Sequence, residues 1–121
     1  MIELVKGTAS DEYLDFSAFE DAIHGSHQNI HMLLGAGIGM SGEVGEFNEI
    51  LKKHVWQGKA FDEVHAKKEL GDILWYFALA CIALDVEIDE IAAIVKEKLA
   101  KRYNDGRFSK ELSENRQKDD V

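Results

Sequence analysis

Residues 73–84 read Ile73-Leu-Trp-Tyr-Phe-Ala-Leu-Ala-Cys-Ile-Ala-Leu84, an unbroken apolar run without glycine or charge. Its length suits the buried part of a helix and falls well short of the roughly 20 residues needed to span a bilayer. The chain contains no proline, and apolar–polar alternation never persists for more than a few positions, so helices are expected throughout. Working outward, a first helix is expected from about Asp11 to His24, with Ser10 as N-cap and Tyr13, Phe16 and Phe19 as its apolar stripe. The stretch 25–29 reads as a connection. A long second helix follows from about Ile30 to Trp56, stopping near Gly58. The third covers about Phe61 to Leu84 and contains the opening run; the fourth covers about Ile88 to Tyr103 and stops near Gly106. The expected class is all-α, of the four-helix-bundle type. One domain spans residues 1–109, followed by a charged, disordered tail over 110–121 that is almost free of apolar residues.

A chain of 121 residues supports a single domain, and its 45% hydrophobic content is enough for a core. A helix that is apolar on every side is normally buried on every side. Three other short helices cover residues 73–84 poorly, so a second copy of the chain is expected to cover the rest, as a dimer or tetramer. With 23 acidic against 14 basic residues the net charge is −9. That balance argues against a nucleic-acid backbone or an anionic membrane as the main partner. The single cysteine, Cys81, excludes an intramolecular disulfide and a CxxC zinc site, and within its apolar run it reads as a buried, inert thiol. The first residues, MIELVKGTASDEYLDF, carry no basic stretch followed by an apolar segment. No secretory signal is read there, and a cytoplasmic location is expected.

Gly37-Ile-Gly-Met-Ser-Gly42 is a literal G-x-G-x-x-G. A dinucleotide site needs that turn between a strand and a helix of a βαβ unit, which this sequence does not offer. Close packing explains the glycines better, because Gly35, Gly39 and Gly42 form one helical stripe where a neighbour can approach. His27-x-x-x-His31 has the spacing of two zinc ligands, but the sequence places no third.

The informative constellation is acidic. Glu43-Val-Gly-Glu46 puts two carboxylates on one face of the second helix, and Glu69-Leu-Gly-Asp72 repeats the spacing on the third after a spacer of 22 residues. Carboxylates spaced this way are common on solvated helix faces. Here both pairs sit among glycines and apolar residues (Val44, Phe47, Leu70, Ile73), so these faces border a core. If the two helices are antiparallel neighbours, four carboxylates converge and raise one another's pKa unless a cation neutralises them. Hard divalent cations take oxygen ligands, and Mg²⁺ is commonly held by a few carboxylates together with substrate phosphates. The chemistry suggested is metal-assisted attack of water on a phosphoanhydride. Cations stand where they complement it: Lys53 lies two turns beyond Glu46, while Lys98 and Arg102 continue the apolar stripe of Ile91 and Val95. Either could equally form salt bridges to the acids. Glu49 continues the acidic series as a secondary ligand or base, or pairs with Lys52 or Lys53. Trp56, Trp75, Tyr76 and Phe77 could offer a stacking face for a nucleobase, or belong to the core.

Taken together, Glu43-x-x-Glu46, Glu69-Leu-Gly-Asp-Ile-Leu-Trp-Tyr76 and Lys98-Leu-Ala-Lys-Arg-Tyr-Asn-Asp-Gly106 resemble the MazG-like all-α nucleoside-triphosphate pyrophosphohydrolases over roughly Leu33 to Ser109. The resemblance implies an oligomeric helical bundle with Mg²⁺, or Mn²⁺ in its place, held by Glu43, Glu46, Glu69 and Asp72. It implies hydrolysis of a (deoxy)nucleoside triphosphate to the monophosphate and pyrophosphate. Lys53, Lys98 and Arg102 match basic positions that face the phosphates, and Trp56 and Tyr76 are the aromatic candidates for substrate contact. Many relatives carry Asn about one turn before the lysine matching Lys98, where this chain has Val95 and Lys96, and many read Arg-Tyr-Pro where it has Arg102-Tyr-Asn104. The first departure bears on sugar or base recognition, the second on how the last helix ends. Two other classes compete. A di-iron or di-manganese bundle needs Glu-x-x-His pairs, which are absent. A non-catalytic helical oligomer that binds or regulates would keep the fold without turnover.

Overall fold

The computed structural model of the chain describes residues 1–103; the expected stop at Gly106, the Asn104 departure and the boundary to the 110–121 tail lie outside them. Among the described residues every regular element is a helix. The order is α1 (Ile2–Thr8), α2 (Asp11–Leu14), α3 (Phe16–His24), α4 (Ile30–Gln57), α5 (Glu63–Ala83) and α6 (Ile88–Arg102). The class is as expected, but the count of four helices is corrected to six. The expected Asp11–His24 helix breaks at Asp15, whose backbone is extended (φ −127°, ψ 117°) and whose side chain accepts the Ser17 N–H at 2.9 Å. Aspartate bonds to nearby backbone N–H groups more readily than it sits inside a helix, so it starts α3 instead of continuing α2. Ser10 does precede α2, though its side chain makes no capping bond. Helix α1 lies in a segment where the sequence suggested none.

The chain divides into two compact units, Met1–Leu84 and Asp85–Val121. In the first, α4 and α5 form the principal packed pair. Their contacts run in opposite directions along the chain: the Asn29 amide donates to the Ala83 carbonyl at 3.0 Å, Gly39 faces Tyr76, and Glu43 meets Asp72. The two helices are therefore antiparallel, as the acidic spacing required. Their connection is built from local chemistry. Gly58 takes a left-handed conformation (φ 67°) that ends α4 without the steric cost a side chain would incur. The next N–H, of Lys59, bonds the Lys53 carbonyl at 3.2 Å, and His54 Nδ1 donates to the Lys59 carbonyl at 2.8 Å. Asp62 then caps α5, accepting the His65 N–H at 3.0 Å.

The buried apolar residues are few and mostly small: Ala36, Ile50, Ala66, Cys81 and Ala83. Cys81 is indeed a buried free thiol. The apolar run is not covered on all sides within one chain, because Leu74, Trp75, Ile82 and Leu84 remain exposed while Cys81 and Ala83 are buried. The glycine stripe is corrected in one respect. Only Gly39 meets a close neighbour, a Cβ there overlapping the Tyr76 ring, whereas Gly35 and Gly42 face open space. No helix among the described residues is long and apolar enough to cross a membrane.

In the second unit, α6 places Asp89 and Glu90 in its first turn and Lys101 and Arg102 in its last, matching the helix dipole at both ends. Ile91, Lys98 and Arg102 are half-buried, while Lys96 and Lys101 are exposed, as their spacing suggested. Val95, expected on the same stripe, is 47% exposed.

Candidate metal centre

Antiparallel packing brings Glu43 of α4 against Glu69 and Asp72 of α5, and one carboxylate oxygen from each lies within 4.8 Å of the other two. Glu69 is the deepest, with 4% of its surface exposed, and is the one buried charged residue among those described. Glu43 is half-buried and Asp72 is exposed. Three carboxylates at this separation cannot all ionise freely. Glu43 is pushed up to about 7, foremost by its side-chain hydrogen bond with Glu69, then by lost hydration and by the negative charges of Glu46, Asp72 and Glu69. A carboxyl–carboxyl contact of this kind exists only while one partner holds a proton.

Whether the site suits a cation can be read from its oxygens. Apart from the carboxyl–carboxyl contact itself, Glu43 Oε2 and Glu69 Oε2 are sealed from solvent without a hydrogen-bond partner. Sealed, unpartnered oxygens are costly unless something positive meets them. Around one octahedral Mg²⁺ with ligands at about 2.1 Å, neighbouring oxygens stand about 2.9 Å apart and opposite ones about 4.2 Å, so the three carboxylates, already within 4.8 Å of one another, need only draw together to share an ion. The donors offered are all carboxylate oxygens, the hard set that Mg²⁺ and Mn²⁺ prefer. The residues present fit the group.

Glu46, expected as the fourth ligand, is exposed and stands outside the converging trio. It lies on the wall of an adjoining pocket of about 430 Å³, together with Glu49, Ile50, Lys53, Lys59, His65 and Glu69. Lys53 therefore shares a cavity with Glu46 and Glu69, whereas Glu49 pairs with Lys52 at 3.4 Å. On the other side a shallower pocket of about 370 Å³ is lined by Glu43, Asp72, Trp75 and Tyr76. The trio thus stands between a cavity of mixed charge, where Lys53 and Lys59 face four acids, and an aromatic-walled one. Tyr76 lines the latter half-buried, with Trp75 edge-on to it at 5.1 Å between ring centroids. Trp56 lines neither pocket and is 80% exposed. Lys98 and Arg102 belong to the Asp85–Val121 unit. His27 and His31 line a separate pocket with His24, and His27 Nδ1 accepts the Asn29 N–H at 3.1 Å.

Sequence reasoning missed the two residues that hold Glu69 from behind. His65 Nε2 lies 2.8 Å from Glu69 Oε1, and Asp62 bonds the His65 backbone. The signal was present, since His65 precedes Glu69 by four residues on the same helix face. Lys59, in the connection between the helices, was missed for want of any helical register to place it.

Residues 37–107 match the family model described as the MazG nucleotide pyrophosphohydrolase domain. The match contains both acidic pairs, Lys53, the aromatic residues and the basic positions of α6. No curated protein and no solved structure gives a significant match to the chain.

Proposed function

The chain belongs to the MazG nucleotide pyrophosphohydrolase family, and from that premise we propose that it hydrolyses (deoxy)nucleoside triphosphates to the monophosphate and pyrophosphate with Mg²⁺, for which Mn²⁺ substitutes. The observation that carries this reading is the meeting of Glu43, Glu69 and Asp72 with two sealed oxygens that have no hydrogen-bond partner outside the cluster. These three residues would hold the cation, with Glu46 joining them from the pocket wall. When bound, it supplies Lewis acidity and neutralises phosphate charge.

The remaining work falls to the chain itself. The Lys53 ammonium, on the wall of the larger cavity, attracts the phosphate chain and offsets negative charge that grows on departing pyrophosphate. For Lys98 and Arg102 the family resemblance alone implies phosphate contacts, to which a guanidinium brings a two-pronged geometry. Tyr76 and Trp75 give the smaller pocket an aromatic wall for the base. Trp56, the other aromatic candidate, is solvent-exposed and contacts substrate only if a second chain brings it there. Self-association fits the exposed Leu74 and Ile82, which a second copy would cover.

Product analysis by chromatography, over a panel of ribo- and deoxyribonucleoside triphosphates with and without Mg²⁺, tests this reading. Metal-dependent release of monophosphate and pyrophosphate is expected. Release of diphosphate and orthophosphate would overturn the reaction class. Absence of turnover with either Mg²⁺ or Mn²⁺ would favour the non-catalytic oligomer.

A further inference from the structure

Glu69 divides its two carboxylate oxygens between unlike neighbours. Oε1 lies 2.8 Å from His65 Nε2, whereas Oε2 is buried, has no hydrogen-bond partner outside the acidic cluster and is the oxygen left for that cluster. An ionised carboxylate can only accept, so Nε2 must carry the proton and donate it. His65 is itself held. Its backbone N–H bonds Asp62 Oδ1 at 3.0 Å, which fixes the helix turn that carries the ring. Asp62 is the N-cap of α5, so the chain Asp62–His65–Glu69 runs from a fixed helix start to the most buried acid of the site. The His65 side chain is 52% exposed and lines the larger cavity, so packing alone gives little reason for its orientation.

We propose that His65 is a positioning residue, which occupies Glu69 Oε1 so that Oε2 alone is presented to the divalent cation. The inference rests on the metal reading given above for Glu43, Glu69 and Asp72. A glutamate without this bond is free to turn about its last torsion or to offer both oxygens, and the site loses its preset shape. Residues that orient metal ligands in this way typically contribute 10- to 100-fold to metal affinity.

The test is calorimetric titration of Mn²⁺ into the nucleotide-free protein, for wild type, His65→Ala and His65→Gln, with kcat measured at saturating Mn²⁺. Glutamine four residues before Glu69 keeps an N–H donor within reach, whereas alanine removes it. The expected result is a Kd raised about 10- to 100-fold in His65→Ala, recovered for the most part in His65→Gln, with kcat at saturating Mn²⁺ falling by a smaller factor than the affinity. Wild-type binding that both variants match would overturn the role of His65 while leaving the metal reading intact. Equal weakening in both variants would show that a donor to Oε1 is not what matters, and would also overturn the proposal. A fall in kcat with unchanged Kd would assign His65 to proton transfer instead. No binding by the wild-type protein would overturn the metal reading, and this inference with it.

Discussion

Four residues before the first acid of each pair, the two helices differ: α4 has Gly39 ahead of Glu43, and α5 has His65 ahead of Glu69. Gly39 supports no carboxylate; it clears space for the Tyr76 ring from the facing helix. His65 bonds Glu69 directly and is tied to the α5 cap through Asp62. The second acids differ in another way. Asp72 joins the cluster although exposed, while Glu46 stays on the cavity wall beside Lys53. Identical i, i+3 spacing therefore assigns a face and nothing more. The one acid supported from its preceding turn is Glu69, so the preorganisation visible among the described residues lies on α5.

The largest expected effect exploits this asymmetry. Asp72→Asn or Glu69→Gln should lower Mg²⁺-dependent kcat/KM on the order of 100-fold or more, and Glu46→Gln only about 10-fold, in steady-state assays of pyrophosphate release. Equal losses from all three would break the distinction between the pairs. Next in size are the glycines. Gly39→Ala must displace Tyr76 and should cost about 1–3 kcal/mol in denaturant unfolding. Gly42→Ala meets open space and should stabilise the helix by up to about 1 kcal/mol. The same sign for both would contradict the placement of Tyr76.

The smallest effect concerns Glu43, whose pKa rises from 4.5 to about 7 on folding in the absence of metal. Between those values the folded chain retains a proton that the unfolded chain has released. Metal-free stability should therefore fall as pH climbs from 4.5 through 7. Melting temperatures in a chelator, followed across that window, should show a decline in the wild type that is flattened in Glu43→Gln. A decline of equal slope in both would place the titration elsewhere.

Much of this was legible beforehand. Helices α4, α5 and α6 lie within two residues of their expected limits because apolar periodicity, Gly58 and the absence of proline mark them. The convergence of Glu43, Glu69 and Asp72 followed from spacing once the helices were taken as antiparallel. The break at Asp15 was not legible, since Ser10 and Asp15 are both good caps and the stripe of Tyr13, Phe16 and Phe19 runs through them. Nor was the exposure of Trp56, because an aromatic residue near a helix end reads as core until a tertiary neighbour is known to be missing. The His65–Glu69 bond went unnoticed because an i, i+4 pair is usually a minor surface feature. Here its importance comes from the burial of one partner.

Anomalous diffraction at the manganese edge, from crystals grown with Mn²⁺ and no nucleotide, tests the central claim most directly. A peak is expected between Glu43, Glu69 and Asp72, with an oxygen of each carboxylate within coordinating distance. A peak at the His24, His27 and His31 pocket, or an occupied crystal with none at the three acids, would contradict it.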